Sequence, residues 1–438
     1  MTSVAPIDTR AAVEWYRRNR ARSEAIFDLI DPSAYYSRPI SLRNPIVFYE
    51  GHLPAFSVIA FLRRGLGLPP VDARLEQLFE RGIDPDSEAA AVPRSGASTV
   101  WPSRDEVRAF GRACDEAVLA AMSSLPPGPI ALEGLYTALE HEAMHQETLL
   151  YMWHRLPYEQ KRRRDLPPEG GSHVISNGEP GADSWLPPSG GRTSIPAGTA
   201  VLGADRATTV FGWDNEFDAH DVQVPAFEID TLPVTNAQYL EFIAANGYSR
   251  RELWSDEGWE WIQAEAVTHP AFWLPPTADS RSPIPDWKWR GMFEALPLPL
   301  DWPVYVSHAE AAAYARWQGR RLMTEPEFHR AAAGSTTGHF DFAGFEPIAV
   351  GSHPPSAAGV YDLVGNGWEW TATVFGPFDG FAPMRSYPEY SADFFDGRHF
   401  VMKGASPATA RELVRPSFRN WFRGNYPYVY AKFRTARG

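Results

Sequence analysis

Between Leu135 and Leu156 the chain runs for 22 residues without proline or glycine, with Leu135, Leu139, Leu149 and Met152 at helical spacing. That pattern predicts one long uninterrupted helix. It carries His141 and His145, four residues apart in the run Glu140-His-Glu-Ala-Met-His145. On a helix, residues i and i+4 lie one above the other on one face, so two imidazoles can close on a single metal ion. Two ordinary helix histidines would give the same spacing, so the pair needs support from elsewhere in the chain. Glu147 falls roughly 200° around the helix from His145 and is a poor third ligand from the same turn.

A chain of 438 residues exceeds one typical core, and two domains are expected. The 40 prolines and 16 tryptophans, with few long periodic runs, point to a loop-rich domain beside the helical part. The formal net charge of −13 comes with no basic stripe, which argues against nucleic acid and anionic membranes as partners. A single cysteine, Cys114, excludes an intramolecular disulfide and any cysteine-rich zinc site. It fits a reducing compartment, and with no apolar signal core and no run of 18 apolar residues, a cytoplasmic protein is expected.

Four helices are expected in the first 160 residues: over 8–31, from about Asn44 to Arg64 with His52 near its start, over 105–122, and the His141–His145 helix. They form a helical bundle over 1–160, the architecture in which metal sites arise from side chains on facing helices. Residues 161–195, rich in Pro-Pro and Gly-Gly, have linker chemistry. Over 196–438 short strands alternate with turns and short helices. Val201-Leu-Gly-Ala and the segment 222–230 read as strands, and helices start at Thr235, Ser307 and Glu325. Ser307 with Glu310 has the pattern of a capping box.

Four motifs follow in order: Pro233-Val-Thr-Asn-Ala-Gln-Tyr, Pro303-Val-Tyr-Val-Ser, Gly319-Arg-Arg-Leu-Met-Thr-Glu-Pro-Glu-Phe and Tyr361-Asp-Leu-Val-Gly-Asn-Gly-Trp-Glu-Trp-Thr. Together they resemble the formylglycine-generating-enzyme-like fold, an α+β variant of the C-type lectin fold. The first part resembles the all-α DinB-like four-helix bundle. The pairing resembles the ergothioneine-type sulfoxide synthases, non-haem iron enzymes that join sulfur to the imidazole of hercynine, a histidine betaine, using O2. Formylglycine-generating enzymes proper hold copper with a cysteine pair, and the absence of cysteine from 196–438 rules that chemistry out.

The resemblance implies Fe(II) on His52, His141 and His145, with O2 as co-substrate. Three imidazoles with open positions serve zinc equally well, so the residues alone leave the metal open. The resemblance further implies that Asn420 and Trp421 hold the betaine. An aromatic face attracts a quaternary ammonium, and an amide can bond a carboxylate or imidazole. It places a catalytic tyrosine in the loop Met384-Arg-Ser-Tyr-Pro-Glu-Tyr390, where Tyr387 matches and Tyr390 stands beside it. The mycobacterial-type pattern has an acid directly after the Asn-Trp pair; this chain has Phe422. It has two arginines three apart where this chain has Arg94 and Ala97, and a glutamine where this chain has Met144. Lost charge and gained apolar surface fit a less charged donor, such as the selenosugar used by the selenoneine synthase branch. A donor such as cysteine or γ-glutamylcysteine remains an alternative. So do a zinc-dependent DinB-like transferase or hydrolase and a lectin-like binding module.

Overall fold

The computed structural model describes residues 8–80, 100–124, 128–164, 191–276 and 286–438. The chain forms two compact units. The first takes residues 1–165 together with 205–217 and 380–393, and the second takes the remainder.

In the first unit, α1 (Thr9–Phe27) starts at Asp8, whose carboxylate accepts the amides of Arg10 and Ala11. α2 (Ile46–Ser57) begins after Pro45 and continues without a break into a π-helical segment, Val58–Gly65. His52 therefore sits mid-helix rather than near a helix start. Pro54 lies inside this helix, where it removes an amide donor from the ladder just before the register widens. The stretch Ile46–Gly65 is long and apolar enough to cross a membrane, but 89% of its apolar window is buried inside the protein.

A short α3 (Ala73–Phe79) is capped by Asp72, and α4 (Arg104–Ser123) by Ser103. α5 (Pro129–Arg155) is the 27-residue helix expected from the sequence. Gly134 lets α5 lie directly on the π-helical segment. A Cβ there would stand 2.6 Å from the Ala60 carbonyl oxygen and 3.2 Å from the Cα of Gly65. That close approach locks the two histidine-bearing helices together. Arg20 reaches from α1 to Asp115 on α4 and Glu142 on α5, at 2.9 and 2.8 Å.

The second unit contains two four-stranded sheets. In one, the order is Arg192–Ile195, Phe227–Asp230, Thr435–Arg437, Arg321–Leu322, all antiparallel. In the other, His399–Ala405 lies between Asn420–Arg423 and Gly367–Val374, and Ala431–Lys432 joins in parallel at the far edge. The stretch 222–230 is two strands, His220–Val224 and Phe227–Asp230, because Pro225 cannot donate to a ladder. The expected capping box of Ser307 and Glu310 starts the helix His308–Trp317. Equivalent boxes at Thr235 and Thr324 start Asn236–Ala244 and Glu325–Ala331.

Candidate metal centre

α2 and α5 bring His52, His141 and His145 together, with one ring nitrogen of each within 4.8 Å of the others. The Nε2 atoms of His52 and His141 are 3.4 Å apart. Ring centroids lie 5.1 Å apart for His52 with His141, 5.1 Å for His52 with His145 and 4.4 Å for His141 with His145. The first of these rings is oriented by the backbone. His52 Nδ1 lies 2.7 Å from the Phe79 carbonyl oxygen, so Nδ1 carries the proton and Nε2 keeps its lone pair. Gly51 makes this possible, since a Cβ there would fall 2.4 Å from the Phe79 ring. Phe48 stacks on His52 at 5.0 Å and Phe56 on His141 at 3.4 Å.

Burial pushes the His52 imidazole down to about 4. His141 and His145 are held well below the ordinary histidine value by burial and by their neighbouring imidazoles. All three rings are therefore neutral near pH 7, the form that ligates a metal. The Nδ1 atoms of His141 and His145 are buried without a hydrogen-bond partner among the described residues. A buried polar atom left unpaired is costly, which points to a use for these rings beyond packing. The donor set fits a divalent ion held by imidazole with open positions beside it.

Residues 380–393 carry both candidate tyrosines to this centre. The Tyr387 ring lies 6.0 Å from His141 and 4.9 Å from Phe56. Tyr390 stacks on Trp213 at 3.9 Å and donates its hydroxyl to the Met144 sulfur at 3.4 Å. The two tyrosine rings are 5.7 Å apart. Trp213, fully buried, donates its indole N–H to Glu140 at 2.8 Å. Asp214 next to it accepts from the Ser391 hydroxyl, and burial raises its carboxyl to about 6.

Reasoning from the sequence missed Trp213, Phe56 and Glu140. Phe56 and Glu140 had a readable signal, being one turn after His52 and one residue before His141. Trp213 had none, because it reaches the bundle from a segment with no periodicity. Arg94 lies outside the described residues.

Asn420, Trp421 and Phe422 stand together in the second unit, on the strand Asn420–Arg423 that pairs with His399–Ala405. Trp421 stacks almost parallel on Phe375 at 4.2 Å, and Arg419 lies over the same Phe375 ring. Asn420 turns its side-chain oxygen to the Trp421 amide at 2.9 Å, which orients its amide group. Phe422 stacks on Tyr426 at 5.1 Å.

The chain matches the DinB superfamily over residues 16–149 and the sulfatase-modifying factor enzyme 1-like domain over 186–345 and 343–438. It is 31% identical to hercynine oxygenase of Mycolicibacterium thermoresistibile, over 96% of this chain and 92% of that protein. The chain belongs to the hercynine oxygenase family, the ergothioneine-type sulfoxide synthases. The Mycobacterium tuberculosis family member is 32% identical over 96% of both chains. Ergothioneine biosynthesis protein 1 of Neurospora crassa is 27% identical over 91% of this chain and 54% of its own length. The multidomain layout of the family, a helical DinB-like part followed by an α+β formylglycine-generating-enzyme-like part, is the one found here.

Proposed function

We propose that this chain is a cytosolic Fe(II)- and O2-dependent enzyme that forms a carbon–selenium bond on the imidazole of hercynine, with a selenosugar as donor. The observation that carries the reaction class is the cluster of three neutral imidazoles, His52 and His141 buried and His145 half-buried, in a chain whose full-length relatives are hercynine oxygenases. The donor reading rests on Phe422 and Met144, apolar where the mycobacterial-type pattern is polar.

His52, His141 and His145 would hold the ferrous ion, which when bound supplies oxygen activation and open positions for the reactants. Trp421, its ring backed by Phe375, offers a flat face to the trimethylammonium of the betaine. Asn420 orients the same substrate through its amide. The phenyl ring of Phe422 gives the donor an apolar face of the kind that stacks on a sugar ring. Tyr387 holds a proton at its phenol oxygen and passes it during coupling. Tyr390, fixed between Trp213 and Met144, excludes water from its side of the site.

In the balanced reaction one imidazole C–H bond and one chalcogen–hydrogen bond are lost and a carbon–chalcogen bond forms. One oxygen atom of O2 goes to the chalcogen and the other leaves as water. O2 thus accepts four electrons, and no further reductant is required.

The test is anaerobic loading with Fe(II), then addition of O2 and hercynine with a 1-selenosugar, cysteine or γ-glutamylcysteine in parallel. Products are read by mass spectrometry and O2 consumption by electrode. Coupling with the selenosugar in preference to both thiols is expected. Coupling with γ-glutamylcysteine alone would overturn the donor assignment. Full activity of zinc-loaded protein on another substrate without O2 uptake would overturn the reaction class.

A further inference from the structure

α5 bears four polar residues at successive four-residue steps: Glu133, Thr137, His141 and His145. Such residues share one face of a helix. The last two belong to the metal centre, and the first two meet Ser386, the residue just before Tyr387. Glu133 Oε1 accepts the Ser386 amide at 2.8 Å and the Ser386 hydroxyl at 2.9 Å. Thr137 Oγ1 lies 2.8 Å from Ser386 Oγ. Since the serine proton goes to Glu133, the threonine hydroxyl must be the donor in that pair. Arg64, at the end of the π-helical segment, donates to the Ser386 carbonyl at 3.0 Å and pairs with Glu389 at 3.5 Å.

Every polar atom of Ser386 is thus taken by a side chain of the bundle, in a setting where Ser386 is 3% exposed and Thr137 fully buried. The next link is stiff. Pro388 confines Tyr387 to extended backbone, and the Tyr387 carbonyl accepts the Tyr390 amide at 3.2 Å to close a turn. On this fixed backbone the Tyr387 ring lies against the edge of Phe56, beside His141.

We infer that Glu133, with Thr137, is a positioning residue that sets Tyr387 over the histidine cluster through Ser386. It rests on the proposed role of Tyr387, but the anchoring itself is a separate claim. The clamp and two of the three candidate ligands, His141 and His145, lie along one side of α5, so the separation of Tyr387 from those two rings is set by helix geometry rather than by loop packing.

The test uses the full chain with Glu133→Leu, Glu133→Gln and Ser386→Ala. In metal-free protein, Glu133→Leu should speed hydrogen exchange of the 380–393 amides by about tenfold, with the α5 amides unchanged. In Fe(II)-loaded enzyme it should lower kcat by roughly tenfold to a hundredfold, with KM for hercynine and metal affinity kept within about threefold. Glu133→Gln keeps an acceptor oxygen and should restore most of the rate. Ser386→Ala should give a smaller loss of the same kind and serves where Glu133→Leu fails to fold. Added to Tyr387→Phe, Glu133→Leu should cost nothing further. Unchanged exchange in 380–393, or a kcat loss that persists in full in the Tyr387→Phe background, overturns the inference. If Tyr387→Phe alone keeps the full rate, the catalytic role of the tyrosine fails, and hydrogen exchange still decides the anchoring.

Discussion

Two buried polar clusters, one in each unit, are treated in opposite ways. In the second unit Glu369 is fully buried between two cations, with Arg434 at 2.9 and 3.1 Å and Lys432 at 3.4 Å. Burial alone would raise its carboxyl, but Arg434 and Lys432 hold it below the ordinary value. Glu325 repeats the design with Arg419 at 3.0 Å and Lys403 at 3.6 Å. In the first unit three imidazoles crowd together, two of them with a buried nitrogen that no described residue bonds. A fully paired buried charge marks a place where the fold is specified. A cluster left open marks a place kept for something else to complete it.

Breaking a complete network should do the most damage. Glu369→Gln strands two buried cations and should destabilise the protein by about 3–5 kcal/mol in denaturant titration. By contrast, His141→Leu in metal-free protein removes an unsatisfied group and should change stability by less than about 1 kcal/mol. Equal losses for the two would erase the distinction.

Acid should expose an intermediate case. His308, buried against Phe400 at 3.6 Å, is pushed by burial down to about 3. The unfolded chain takes up its proton near pH 6.5, whereas the folded chain does not until about 3. This group's contribution is therefore greatest above pH 6.5 and falls as the pH drops. Between pH 7 and 4.5 the loss should be roughly 2–3 kcal/mol, and His308→Asn should flatten that slope.

The smallest effect has the reverse sign. The Asp214 carboxyl is raised to about 6 by burial, so its stabilising protonated form is complete below pH 3.8 and is lost as the pH rises through 6. Asp214→Asn should therefore be more favourable by roughly 2 kcal/mol at pH 7 than at pH 4. Thermal melts at the two pH values would show it.

The parts of this molecule legible in the sequence are those built from local periodicity or fixed spacing. The long α5 follows from its uninterrupted apolar spacing, and the caps at Thr235 and Ser307 from residues three apart. The His141–His145 pair could be placed on one face from helix period alone. His52 needed the family pattern, since nothing local says which face of α2 meets α5. Two features stayed hidden because they depend on contacts between distant segments. One is the return of 205–217 and 380–393 to the helical unit. The other is the match of Ser386 to Glu133 and Thr137, residues that look like ordinary solvent-facing helix positions until their partner arrives. The break at Pro225 is local and follows from the missing amide of proline.

Thr137 and Ser386 are separated by 249 positions in the chain. At a ribosomal pace of about 5–20 residues per second, the helical unit waits roughly 12 to 50 seconds for its last piece. A bundle that folds as it emerges would therefore stand without the tyrosine segment throughout that interval, its histidine face uncovered until the segment docks.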